Sequence, residues 1–501
     1  MVMTHRPLLA ILLPLCAAGL ILCTGRRPNL RDTWTFLAAG GQCALVLSLV
    51  PAVVAGQVVD TAYVELLPGL ALQLRADPFG LLFALLASGL WCLTSLYAVG
   101  YMRAGQYPRQ TGYFACVAVA LSATLGVAFA ANLLTFFVFY ELLTLATYPL
   151  VVHRRDAEAL AAGRKYLAYT LGAGQCLLLA LVWLQHLVPG ATFQPGGVLA
   201  GKAAPGVLVA LCLLGFLGVG VKAALMPLHG WLPAAMVAPT PVSALLHAVA
   251  VVKAGTFGCI RLLHYVFGLD VLQALGADMV LASVAGATIL LASVRALGES
   301  HLKRRLAYST VSHLAYIVLG AVLGSPAALA GAMFHMVAHG CMKITLFFCA
   351  GAIDIQIHRL DIATFAGLGR QMPITFGALT LGALGLAGTP LCVGFISKWQ
   401  LGLGALQAGH AVFLGILVLS GLLNLAYFLP ILLTAFFGPG GSGAPSREAR
   451  ALMWMPLALT AVLSVVLGIA PNAGPGLYHL AWQAVGQIMP GTAPMLLGGA
   501  P

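Results

Sequence analysis

The chain reads as an all-α polytopic membrane protein of about fourteen transmembrane helices. Three observations carry that reading. Of 501 residues, 61% are hydrophobic and only 8% are charged, against about 25% charged in an ordinary soluble domain. Apolar runs of eighteen or more residues recur along the whole length, each long enough to cross a bilayer as a helix. The pieces between them are short, which leaves no room for a soluble domain. Only helices and closed barrels satisfy their backbone in lipid, and continuous apolar runs mark helices.

The expected spans are 7–24, 33–55, 77–102, 111–129, 132–152, 166–188, 206–231, 240–266, 271–297, 306–323, 327–353, 373–405, 410–435 and 452–470. The longest polar pieces are 56–76, 189–205, 354–372 and 436–451. The first run ends in arginines and has no A-x-A-like cleavage site, so it is expected to be a retained span and not a signal peptide. Basic residues test the alternation. Sixteen of the 25 fall in or beside loops after odd-numbered spans, from Arg26 and Arg27 to Arg447 and Arg450. The other side holds only Arg6, Arg75, Lys202 and Arg261. By the positive-inside rule the odd loops are cytoplasmic and both termini face outward.

The net charge of +12 is therefore a topology signal and not a nucleic-acid footprint, since no basic run exceeds three residues. Eleven cysteines stand singly, without C-x-x-C or a Cys/His cluster. They read as small buried apolar residues, and no metal or iron–sulfur site is expected. No cofactor is expected either.

Five basic residues remain inside spans: Lys222, Lys253, Arg295, Lys343 and Lys398. Arg295 is close enough to a cytoplasmic end to snorkel. A charge at mid-bilayer costs about 2.5–3.5 kcal/mol on insertion scales, so the four lysines need a reason. The only carboxylate at similar depth is Glu141, in the fifth span. A static Glu–Lys pair could hold two helices together, but one carboxylate cannot neutralise four lysines. Some must be neutral or hydrated, which is how a proton path would be built.

Histidines extend the row. His335, His339 and Lys343 recur at i, i+4 and i+8 and share a helix face. Ser243 and His247 do the same in the eighth span, while Lys253, six residues on, points to a different neighbour. Imidazole both gives and accepts a proton, so His247 and His339 are candidate relays. The same histidines could be plain interhelical hydrogen bonders. Pro227 interrupts the seventh span after Lys222, and Gly388-Thr389-Pro390 interrupts the twelfth before Lys398. Broken helices at membrane depth line cavities or pack in protein. Two broken, lysine-bearing spans five apart imply two five-helix repeats of inverted topology. The expected division is an N-terminal three-helix segment (1–110), repeats at 111–266 and 267–435, and a last helix with an outward tail (436–501).

The segments KAALMPLHGWLPAAMVAPTPVSALLHAVAVVKAG, RRLAYSTVSHLAYIVLG, HMVAHGCMKITLFFCAGAI and GTPLCVGFISKW together resemble the antiporter-like membrane subunits. These are shared by respiratory complex I, membrane-bound hydrogenases and Mrp-type cation/proton antiporters. The resemblance is firmest from Asn132 to Lys398. It implies broken seventh and twelfth helices and repeats formed by spans 4–8 and 9–13. It pairs Glu141 with Lys222 and gives proton-carrying roles to Lys253, Lys343 and Lys398. It also implies partners: other membrane subunits, protons and, for the antiporters, Na⁺. The longest relatives continue into a lateral helix, which the tail 471–501 is too short to supply. In length the chain is nearest the Mrp D-type subunit. The expected location is the inner membrane of a prokaryote. The rival reading is a structural scaffold subunit with no active path. Nothing in the residues marks redox chemistry in this chain, although it could serve an NADH:quinone oxidoreductase or a hydrogenase-type translocase.

Overall fold

A computed structural model describes residues 2–61, 64–67, 69–439 and 447–491. Segment 440–446 of the thirteenth loop and tail residues 492–501 lie outside them. The protein is almost wholly helical, and eleven helices among the described residues are long and apolar enough to cross a membrane. These coincide with eleven of the expected spans. The other three expected spans fall on Leu302–Val322, on the pair Pro205–Gly220 and Trp231–Ala234, and on the pair Pro373–Ala387 and Val393–Gln407. The piece 56–76, expected as loop, instead carries short strands. Val59–Asp60 pairs with Val2–Met3 and with Arg75–Ala76, and Val64–Leu67 forms a hairpin with Leu70–Leu72.

Polar residues at span entrances act as caps. Asp77, Asn132, Asp156 and Ser325 each accept from a backbone N–H three residues on, at 2.7, 2.8, 2.7 and 3.2 Å. Such side chains satisfy amides that a helix start leaves free.

Contacts between loops reproduce the alternation that the basic residues predicted. On one face, Arg31 donates to Gln110 at 3.0 Å and His153 meets the Pro108 carbonyl at 3.0 Å. On that face too, Lys303 donates to the Ala238 carbonyl at 2.6 Å, His301 bridges Asp361, and Arg370 donates to the Phe436 carbonyl at 2.9 Å. Odd loops thus contact odd loops. On the other face, the Thr4 amide donates to Asp60 and the Arg75 amide to Phe129, at 3.1 and 2.7 Å. There also, the Phe193 amide donates to Ala131 at 2.8 Å, and Ser325 donates to the Gly404 carbonyl at 2.8 Å. The helix Leu477–Ile488 joins that face, where Gln483 donates to the Val53 carbonyl at 2.8 Å. Both ends of the described chain are therefore on the face away from the basic loops.

Two helices are enclosed along their whole apolar length: the eighth span Thr240–Phe267 and the eleventh, Pro326–Ile357. These carry His247, Lys253, His335, His339 and Lys343, all fully buried. The first two spans, by contrast, bury only 39% and 33% of the residues in their apolar stretches. Small residues let backbones approach this axis, as expected where helices associate in lipid. A Cβ at Gly255 would collide with the backbone at Lys222–Ala223, so the eighth span lies directly against the break in the seventh. A Cβ at Gly394 would strike the Gly385 carbonyl, so glycine is what lets the twelfth span fold back at its break.

Candidate functional site

Both expected breaks are present. Residues 221–230 interrupt the seventh span around Pro227, and 388–392 interrupt the twelfth around Pro390. The two lysines do not occupy matching places. Lys222 sits in the break itself, two residues past Gly220, whereas Lys398 lies six residues into the helix Val393–Gln407. Each break holds one proline and one glycine, but in opposite order, and the first break is twice as long as the second.

Lys222 is fully buried, but its amine does not rest on Glu141. It donates to the backbone carbonyl of Tyr140 and sits 3.3 Å from that ring's centroid. Glu141 is half-buried on the fifth span, within electrostatic range of Lys222. Its Oε1 has no hydrogen-bond partner among the described residues. The carboxylate occupies space that Gly174 leaves open, since a Cβ there would lie 2.7–3.1 Å from it. The expected pair is therefore an open one here, with the amine docked one residue away.

The eighth and eleventh spans meet at Lys253, whose Nζ lies 2.6 Å from Nδ1 of His339. The spacing from His247 implied a different neighbour for Lys253, but both residues meet the eleventh span, at His339 and at Phe347. The shared face of His335, His339 and Lys343 fans out to partners on three other spans, the eighth, tenth and twelfth. Lys343 donates to Ser309 Oγ and, at 2.9 Å, to the Leu306 carbonyl. His335 Nδ1 is 2.8 Å from Ser397 Oγ, and its Nε2 is 3.1 Å from His313 Nδ1. His313 Nε2 in turn lies 3.3 Å from Asn424 Oδ1.

The proton inventory of this chain is informative. Ser397 donates to the Gly394 carbonyl at 3.1 Å, so it accepts from His335 Nδ1–H. A neutral His335 then offers a bare Nε2, which accepts from His313 Nδ1–H. For His313 Nε2 also to donate to Asn424, the ring must carry two protons; otherwise the Asn424 amide is turned over. The two states differ by one proton on one imidazole, which is what a relay requires.

His247 lies in a π-helical stretch, Leu245–Val249. Neither ring nitrogen has a partner among the described residues, and the ring packs 4.7 Å from that of Phe347. Such stretches recur at functional sites. Lys343, Lys303 and Lys253 all lie within electrostatic range of it. Lys398, half-buried, donates to the carbonyls of Leu386 and Ala387 at 2.6 and 3.2 Å. It lines a lateral groove of about 570 Å³ with Gly388, Thr389, Pro390, Trp399 and Leu425. Its amine stands 5.2 Å from the Tyr316 ring, which stacks on both His313 and His335 at 5.1 and 5.5 Å.

Four participants were not among the residues singled out beforehand: His313, Ser397, Asn424 and Lys303. The signal was present for His313, which follows Ser309 and Ser312 on one face of the tenth span. Asn424 is likewise a lone amide within an apolar run. Lys303 lines a cavity of about 530 Å³ on the basic face, with Arg154, Glu158, Lys165, His301 and Asp354.

This geometry can be set beside known proteins. The subunit N of NADH-quinone oxidoreductase from Desulforudis audaxviator is 33% identical over 462 residues, 89% of each chain. A component of a probable K(+)/H(+) antiporter from Rhizobium meliloti is 33% identical over 82% of this chain, which spans 41% of that longer protein. A chain of the Mrp complex from Dietzia sp. superposes with a TM-score of 0.88 at 26% identity, over 98% of this chain and 99% of that one. One in respiratory complex I from Thermus thermophilus shares the fold, with a TM-score of 0.80 over 96% and 99% of the two chains. The model of the family described as NADH:quinone oxidoreductase/Mrp antiporter, TM, matches residues 130–424, from the cap of the fifth span through His247, Lys253, His339 and Lys398 to Asn424, and the chain belongs to that family.

Proposed function

We propose that this chain is a proton-translocating subunit of a multi-subunit ion-pumping membrane complex. Protons would move along the mid-membrane axis, with Lys222, Lys253 and Lys398 as carriers. His247, His339 and Lys343 act as relays together with His313 and His335. The observation that carries the reading is the Lys253–His339 contact at 2.6 Å, between two enclosed helices. No carboxylate pairs with either group among the described residues. A static structural pair would be neutralised, because an unpaired buried charge is costly. An amine and an imidazole that are both neutral can hydrogen-bond without a counter-ion, and the pair carries charge only while it holds a proton in transit.

Glu141 sets the state of Lys222. A carboxylate brought close favours the ammonium form, and its withdrawal favours loss of the proton toward Lys253. The division at 110, 266 and 435 belongs to this reading, with one broken helix per five-helix repeat. The basic loops face the cytoplasm of a prokaryote and both termini face outward. Partners are other membrane subunits; Na⁺ would be the ion exchanged for protons if the complex runs as an antiporter, and redox energy the drive if it belongs to an oxidoreductase.

The test is proton movement by the intact complex in liposomes carrying an internal pH dye. Lys253→Met and Lys222→Met should each lower driven transport at least about tenfold, equivalent to a barrier raised by about 1.4 kcal/mol, with assembly unchanged. Full transport by both assembled variants would favour the scaffold reading instead.

A further inference from the structure

Arg261 is the one lysine or arginine of the eighth span that the relay does not use. It ends the regular helix Val251–Arg261, eight residues beyond Lys253, or about 12 Å at 1.5 Å per residue. It lies on the side away from the basic loops. Only 2% exposed, it holds Asp77 through both terminal nitrogens, at 2.6 and 2.7 Å. Asp77 is also the cap of the third span. Four rings surround the guanidinium carbon: Tyr265 at 4.3 Å, Phe257 at 5.0 Å, Phe79 at 5.4 Å and Phe193 at 5.6 Å.

Between Lys253 and Arg261 the helix presents Phe257, one turn from each. Phe257 stacks on Phe79 at 4.5 Å and leans on Phe83 at 5.1 Å, and all three are fully buried. Outside Arg261 the segment from Gln194 to Val198 is bonded along the helix end. Its amides at 194, 196 and 198 donate to the carbonyls of Tyr265, His264 and Val266, at 3.2, 3.0 and 2.9 Å. A proton leaving Lys253 toward this face would meet a buried aromatic layer, then a fixed cation, then a bonded strap.

We propose that the Arg261–Asp77 pair is a proton barrier, sealing the first half of the molecule on the face away from the basic loops. A guanidinium does not deprotonate at workable pH, so it repels a proton without passing one on. Fixed arginines exclude protons and cations from other pores in the same way. Asp77 makes the buried cation tolerable, because an unpaired one would destabilise the fold. Lys398 has no such cover: it is half-buried and lines a groove. The barrier thus gives the axis a direction, from the sealed half toward the Lys398 half.

The inference rests on Lys253 carrying protons, and the experiment separates the two claims. The complex containing the full chain is reconstituted in liposomes with a trapped pH dye, and a K⁺/valinomycin potential is imposed without any driving reaction. Asp77→Leu combined with Arg261→Met removes the pair and strands no charge. Arg261→Lys keeps the ion pair, and so the fold, but supplies a group that can lose its proton. Both should leak protons, the first at least about tenfold above the unmodified complex, equivalent to about 1.4 kcal/mol. Adding Lys253→Met should abolish the leak. If the double variant does not assemble, Arg261→Lys decides. Assembled variants as tight as the unmodified complex would make the pair a structural clamp, and a leak that survives Lys253→Met would also overturn the proposal. Driven transport that is indifferent to Lys253→Met in the unmodified background would instead refute the proposed function.

Discussion

The Nζ of Lys253 and the Nδ1 of His339 are 2.6 Å apart, so one proton lies between them. The Nε2 of His339 has no partner among the described residues, and its ring stands 5.6 Å from that of His313. His339 is thus bonded on one side and available on the other. His339→Asn keeps an acceptor near the Nδ1 position but cannot pass a proton through a ring. Driven transport should fall at least about tenfold, since relay by a placed side chain typically contributes a hundredfold or more. Thermal stability of the complex should change little. Transport at the normal rate in an assembled His339→Asn complex would remove the ring from the path.

Glu141 and Gly174 form a second linked pair. The carboxylate fills the space of the missing side chain, and an added Cβ would lie 2.7 Å from Oε1. Gly174→Ala should therefore push the carboxylate out of its seat without changing charge. Glu141→Gln removes the charge without changing shape. Both should lower driven transport, and combining them should cost no more than the worse single change, because they act through one group. Additive losses would show that Gly174 matters only for helix packing.

Much of the fold was legible because depth along a helix is written in one dimension. Apolar run length and the bias of basic residues placed the spans, and the loop contacts from Arg31 to Arg370 follow the predicted alternation. Helix neighbours are not written that way. The sequence put Lys253 and His339 at similar depth and left open that they touch. His313 stayed hidden because its importance comes from His335 and Asn424, on other helices. Charge matching and the family resemblance both joined Glu141 to Lys222, and the two lie within electrostatic range, but neither signal showed that the lysine donates to the Tyr140 carbonyl. Backbone carbonyls carry no letter in a sequence.

His301 supplies a pH prediction outside the bilayer. It lines the cavity on the basic face, beside Lys303 and Asp354. Burial first, and then the charges of Lys303 and Arg304, hold its pKa below the usual histidine range, against the opposing pull of Asp354 and Asp361. The folded state therefore prefers the neutral ring. Above the ordinary value of about 6.5 the term vanishes, and as pH falls below it the unfolded chain binds the proton first, so stability is lost. His301→Gln lacks this term. Melting temperatures measured from neutral pH down to about pH 5 should fall less steeply for the variant than for the native complex. Parallel curves would show that other groups set the acid limb.

Lys398 tests whether the end of the axis passes protons or only shapes the field. Its amine is held by the Leu386 and Ala387 carbonyls at the C-terminal end of the helix Pro373–Ala387. It also lines the largely apolar groove, so it is not enclosed on every side. Lys398→Arg keeps the charge and the carbonyl contacts but fixes the proton, because guanidinium does not release it. Lys398→Ala removes charge and proton together. If Lys398 is a carrier, both variants should lose driven transport to a similar extent, with assembly intact for arginine. If it is only an electrostatic element, arginine should transport at close to the native rate while alanine fails. The readout is driven proton uptake by the two reconstituted complexes, and the carrier role does not survive a fully active Lys398→Arg.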